Sequence, residues 1–380
     1  MSLLKTDAIT RVNTHYALQA FAQAAGGIFV LAYLLKAGIS VPMTLLFQAG
    51  ILAGRFALRP LVLPFAIRFG VKPLLITGTL LAAIEYPLLA LVKGPGPLLI
   101  ALCALTALSY LLYWLNFHAY FAALGKAEDR GGQIAWREAI VAGVGIVAPV
   151  LGGWGLTHAG ALPTFIGVGL VQALAIVPLI GAPDVPVART APTGWSPARL
   201  ALGLMVGDGL FAATYYFVWL VALFLTLKES FTAFGGAAAL AAVVGAFSGL
   251  ALGRLVDLGH GRRSALIAYG IAAIVVIARA ASLDTPWLAV LANAAGALLA
   301  AIVTPVLMTP VYNMAKASPC VFRFHSATEG AWDVGCFIGL ILAAGMAAAG
   351  LPLSAPILLA LVAAVLLVVQ LWRYYGRGPG

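Results

Sequence analysis

All of the 22 basic residues in this chain except Lys36, Lys93, Lys228 and Arg279 stand in every second gap between long apolar blocks, and that alternation constrains the fold more than any other feature. Short loops rich in Lys and Arg stay in the cytoplasm during insertion, so the pattern predicts a multi-pass protein of the inner (cytoplasmic) membrane, with both termini cytoplasmic and an even number of spans. With 63% hydrophobic and 9% charged residues the chain lies far from soluble domains, in which about a quarter of residues are charged. In lipid every backbone group must be satisfied internally, which leaves helices or closed barrels. These blocks are continuously apolar and do not alternate, so the predicted class is an all-α membrane protein.

A span needs about 20 residues, and twelve fit. They are placed at 16–37, 41–58, 73–92, 97–124, 134–158 and 161–182, then at 200–227, 231–253, 264–281, 286–315, 324–349 and 356–372. The block after the polar first sixteen residues is long enough to span, so it reads as an uncleaved helix and not a signal peptide. Pro183, Pro186, Pro192 and Pro197, with Gly194 and Ser196, mark 183–199 as a cytoplasmic linker between two six-helix bundles, 1–182 and 200–380. Both halves have a long fourth span rich in aromatic and amide residues near its end, then a basic loop. Repeats of this kind are the architecture of secondary transporters with a site between the halves. The net charge of +10 belongs to the cytoplasmic loops and implies no nucleic acid. Cys103, Cys320 and Cys336 show no paired spacing, which indicates neither a disulfide framework nor a metal cluster.

The residues from Gly253 to Arg263 read Gly-Arg-Leu-Val-Asp-Leu-Gly-His-Gly-Arg-Arg. This resembles the signature Gly-x-x-x-Asp-Arg-x-Gly-Arg-Arg of the major facilitator superfamily, with one extra residue. The matching loop of the first half keeps Arg68, Gly70 and Lys72 but has Ile67 where the acid belongs and Leu63 for the first Gly. Pro149-Val150-Leu151-Gly152-Gly153 is similar to the end of the fifth-span motif of drug/proton antiporters, with Ala148 in place of its Gly, whereas the fourth-span Arg of those antiporters is absent. The resemblance implies two pseudo-symmetric bundles, alternating access, and a slight preference for export.

Ionisable residues inside spans are costly and mark functional positions. Asp208, between Gly207 and Gly209, is the first proton-coupling candidate, the glycines being expected to leave it room for water or substrate. Glu329 and Asp333, four residues apart on one helical face beside Trp332, are the second. The superfamily arrangement implies that Arg55 and Arg59, at the end of the second span, meet this pair in a cytoplasmic gate. Asp257 with Arg262 forms a second gate element, in which the carboxylate caps the helix beginning at 134–138, near Glu138. Expected substrate contacts are Gln19, Gln23, Asn116, Tyr120, Tyr215, Tyr216, Tyr312, Asn313 and Trp332, while Trp219 is expected to be a lipid-facing anchor and Glu85 a structural acid. Many aromatics and few fixed charges suit a neutral, zwitterionic or amphipathic organic solute. No cofactor, metal site, ATP-binding loop or enzymatic nucleophile is indicated. The expected partners are a small-molecule substrate, protons and the lipid bilayer, acting on a monomer. Two alternatives stay open: uptake of an anionic metabolite or metal chelate, and a non-transporting membrane sensor or scaffold.

Overall fold

In the computed structural model the chain forms helices that pack side by side in a bundle. Residues 8–124, 130–187, 189–190, 198–252 and 261–376 are described, with backbone alone at 9, 122–123, 130–139, 198 and 249–252. Among the described residues twelve helices are long and apolar enough to cross a membrane. In chain order they are α1 (Thr10–Lys36), α2 (Val41–Phe69), α3 (Val71–Leu91), α4 (Pro97–Leu124), α5 (Arg130–His158), α6 (Ala161–Ile180), α7 (Arg199–Thr226), α8 (Phe231–Leu252), α9 (Gly261–Ala281), α10 (Pro286–Lys316), α11 (Val321–Ala348) and α12 (Ser354–Tyr375). Among the described residues there is no strand.

The repeat is visible in the packing. In the first six helices α1 lies against α5 and α6, α4 against α2 and α3, and α3 against α6; in the last six, α7 lies against α11 and α12, α10 against α8 and α9, and α9 against α12. These are the same pairs with six added to each label. Helices α3 and α9 even have the same 21-residue length, 190 positions apart. The turns that follow α1 and α7 repeat at the same offset. The Ile39 amide donates to Leu34 and that of Gly38 to Leu35, just as Glu229 donates to Phe224 and Lys228 to Leu225. Ser40 and Ser230 then begin α2 and α8 by accepting from the Met43 and Ala233 amides. Such a helix end requires a left-handed residue, which Gly38 supplies without strain (φ 84°) and Lys228 and Glu229 do not (φ 55° and 54°).

Two broad interfaces join the halves, α2 with α11 and α5 with α8. At the end of the bundle that carries Lys36, α5 and α8 approach through missing side chains: a Cβ on Gly153 would strike the Phe231 carbonyl, and one on Gly235 the Pro149 carbonyl. Thr157 and Thr232 hydroxyls bond across that contact at 2.8 Å, Phe29 of α1 packs edge-on against Phe234 of α8, and Lys36 pairs with Glu229 at 3.3 Å. The fifth-span Pro-x-x-Gly-Gly sequence is thus the seam between halves.

The second span differs from expectation. It does not end near residue 58 but runs to Phe69 through Pro60 and Pro64, so Arg55 and Arg59 are interior residues and not loop residues. Arg279 likewise is not a loop charge, being buried inside α9. The acid absent at Ile67 is supplied by Asp184, at the start of the Pro-rich segment. Its carboxylate accepts from the Lys72 amide at 3.0 Å and occupies the space that a side chain at Gly70 (φ 85°) would fill, placing negative charge at the positive N-terminus of α3.

Candidate functional site

Halfway along α2, Arg55 and Arg59 point across the α2–α11 interface to the acids of α11. Arg59 Nη1 lies 3.2 Å from Glu329 Oε2, its Nη2 donates to Asp333 Oδ2, and Arg55 Nη2 lies 3.2 Å from Asp333 Oδ1. Asp333 is fully buried and both arginines nearly so, at 8% and 7% exposure. Two cations against two anions make the cluster neutral as a whole, which is how four charges can be held in a low-dielectric interior. The four sequence-selected residues are therefore brought together, two from each half. The Arg55 contact is an ion pair without hydrogen-bond geometry, so Arg55 is the more loosely held of the two.

Asp208 lies beside this cluster and outside its charge balance. Its Oδ2 accepts from the Trp332 indole at 3.0 Å, and Trp332 in turn lies 6.0 Å beneath the Arg55 guanidinium. The flanking glycines do not leave it room, as the sequence suggested. A Cβ on Gly209 would meet the Trp332 carbonyl of α11, and one on Gly207 the Leu367 side chain of α12, so both serve close helix packing. From the first half, Gln23 of α1 accepts from Tyr86 of α3 at 3.1 Å and donates to Tyr110 of α4 at 3.1 Å. Tyr110 is within electrostatic reach of Arg55 and of Tyr216 on α7. Tyr216 is 46% exposed although it stands mid-helix and within that reach of the opposite half. Nearer the end of the bundle that carries Arg68, His325 of α11 is within reach of Glu329 and of the exposed His118 of α4.

Several expected substrate contacts have other partners. Gln19 is buried and accepts from Gln172, tying α1 to α6. Asn116 is buried and donates to its own helix at Leu112, and Tyr120 donates to the Pro183 carbonyl below α4. Tyr215 donates to Gly296 on α10. Tyr312 is 52% exposed beside His325, and Asn313 donates toward Tyr374 on α12. Trp219 is not a lipid anchor: it is buried, its indole donating to Asn293 at 2.9 Å. Glu85 is buried on α3 and accepts from Ser109, as a structural acid would. Arg262 stacks 4.9 Å over Trp372 and donates to its carbonyl, which fastens α9 to α12. Asp257 and the Glu138 side chain lie outside the described residues. Composition missed Tyr110, Tyr86 and Asp184, whose partners are far away in sequence; Arg279 was misread because it stands near a span end.

An apolar groove of about 470 Å³ between α3 and α6, lined by Leu80, Ile84, Pro87, Leu91, Ile166 and Leu170, faces out of the bundle and suits a lipid chain.

A sequence profile of the Major Facilitator Superfamily matches residues 16–322. The chain belongs to that superfamily. It is a multi-pass membrane protein of a transporter type. No curated protein matches it. Among solved structures it is similar to a bacterial homologue of the iron transporter ferroportin in an inward-facing state, at 17% identity and a TM-score of 0.69, covering 98% of this chain and 99% of that one. A bacterial metal transporter is similar at 17% identity and 0.65, covering 99% and 100%. An auto-inhibited peptide transporter of the POT family is similar at 13% and 0.65, covering 98% and 97%. At these identities the likeness establishes the fold alone.

Proposed function

We propose that this superfamily member is a proton-coupled secondary transporter of a small organic solute, built from bundles 1–182 and 200–380 and working by alternating access. One observation carries the reading: a neutral four-residue ion cluster joins the halves at mid-depth, while Asp208 stands beside it with, among the described residues, only a neutral indole as donor. A cluster balanced across an interface can separate when each half rehydrates its own charges. A carboxylate outside that balance can load and release a proton as the chamber changes side. Gln23, Tyr110, Tyr216 and Trp332 give the chamber an aromatic and amide lining for an organic solute. The sealed Lys36 end and the exposure of Tyr216 and His118 support a state open toward the Arg68 end, which the basic residues assign to the cytoplasm. Export is favoured slightly by the fifth-span sequence at the α5–α8 seam.

Purified protein screened by thermal shift against a solute panel identifies a ligand, since binding to the folded form raises stability by mass action. In proteoliposomes that solute accumulates against its gradient when a proton gradient is imposed. Asp208→Asn keeps the thermal shift and loses the accumulation. Accumulation by Asp208→Asn equal to wild type rejects Asp208 as the coupling group, and the absence of proton-driven flux for every binder rejects the transporter reading in favour of a sensor. Uptake of a chelate or anionic metabolite is the second reading, favoured by the loosely held Arg55, and the gradient direction that drives accumulation distinguishes it from export.

A further inference from the structure

The first helix of each half is broken at matching depth, and by different means. In α1 a tight 3-10 turn at Gly27–Phe29 begins at the second glycine of the pair Gly26-Gly27, and a Cβ on Gly27 would collide with Gln23. In α7 a π-turn occupies Ala213–Val218, ending at the residue 190 positions after Ile28. It contains no glycine. Its sequence is Ala-Thr-Tyr-Tyr-Phe-Val, and the local contribution is Thr214, whose hydroxyl donates weakly, at 3.4 Å, to the Leu210 and Phe211 carbonyls.

The third helix supplies what the sequence of α7 lacks. Arg279 of α9 donates to the Tyr215 carbonyl at 2.6 Å, within the π-turn. Its guanidinium lies 4.0 Å over the Tyr215 ring and 4.7 Å over that of Trp219, one on the turn and one just past it. Gly296 of α10 lacks a side chain where the guanidinium passes, and its carbonyl accepts from the Tyr215 hydroxyl at 3.0 Å. Arg279 is 4% exposed, and no carboxylate pairs with it among the described residues. A buried cation in lipid without an acid is costly, and here its interactions are spent on one turn of one helix.

That turn separates two differently anchored pieces of α7. The piece before it, Ala198–Ala212, packs on α11 and α12 and carries Asp208. The piece after it, Trp219–Thr226, packs on α10 and on Val30–Lys36 of the opposite half, at the sealed end. We propose that Arg279 is a positioning residue that holds the π-turn, and so fixes where α7 bends and lets its second piece close on α1 while the first stays docked on α11. The inference rests on the alternating-access reading.

Spin labels on cysteines at Ala159 and Ala349, in the α5–α6 and α11–α12 turns of a chain otherwise free of cysteine, report the separation of the halves at the Lys36 end without touching α7. In nanodiscs at acidic and mildly alkaline pH the wild type is expected to show a short and a long distance. Arg279→Met, close in length but uncharged, lets the turn tighten and depletes the short, sealed distance about tenfold. Arg279→Lys keeps the charge but not the planar stacking and falls between; it serves alone if the Met variant does not fold. Trp219→Phe, which loses the Asn293 bond but keeps a ring under the guanidinium, leaves both populations visible. Two wild-type distances unchanged in Arg279→Met, or in Arg279→Lys where only that variant folds, overturn the role of Arg279 alone. A single wild-type distance at both pH values overturns alternating access and this role with it.

Discussion

Arg55, Arg59, Glu329 and Asp333 show how few residues hold the halves together at depth. Removing one partner of a buried, balanced cluster leaves another charge uncompensated, at a cost of about 3–5 kcal/mol. Asp333→Asn strips the acid shared by both arginines and is expected to lower stability by about that amount in detergent unfolding. Arg55→Gln leaves the cluster one cation short but Asp333 still paired with Arg59, so it is expected to cost less stability than Asp333→Asn while lowering transport; equal loss of stability from both variants would show that the contacts are equivalent. A second residue-scale expectation concerns Lys228, which occupies the left-handed position that Gly38 fills in the first half. Lys228→Gly should raise the thermal midpoint, by about 1 kcal/mol of relieved strain, whereas Gly38→Lys should lower it. The acids and arginines were legible because a charge inside an apolar block is conspicuous. Gln19, Asn116 and Tyr120 were not separable from chamber residues, because composition does not say which face of a helix meets a neighbour.

At the scale of helices, the seam between α5 and α8 depends on Gly153 and Gly235, each facing a carbonyl of the other helix. Cysteines at Thr157 and Thr232, whose hydroxyls are 2.8 Å apart, should cross-link rapidly in the folded protein. Adding Gly153→Val should slow that reaction about tenfold, in line with the 1–3 kcal/mol cost of overpacking. Gly143→Val, where a side chain would meet open space, should leave it unchanged and serves as the control. The spans themselves were readable from apolar length, and ten of the expected starts fall within three residues of the observed helix starts. The second span was cut short because Arg59, Pro60 and Pro64 look like a loop when the acids that neutralise the arginines are 270 residues away. The break in α7 was invisible for a related reason: Arg279, which braces it, comes from another helix.

The whole molecule is two copies of one packing scheme facing each other across the α2–α11 and α5–α8 interfaces, and the proposed chamber between the copies has Asp208 and the ion cluster at its wall. The chamber is the claim on which transport depends. A Tyr216→Cys probe in the Thr157→Cys/Thr232→Cys background, treated with a membrane-impermeant maleimide in oriented vesicles, tests it directly. With the Lys36 end cross-linked, labelling of residue 216 should occur only from the side of the Arg68 end; after reduction of the disulfide it should occur from both sides in turn. No labelling from either side, or labelling from both sides while the cross-link is intact, would contradict a chamber that opens to alternate faces of the membrane.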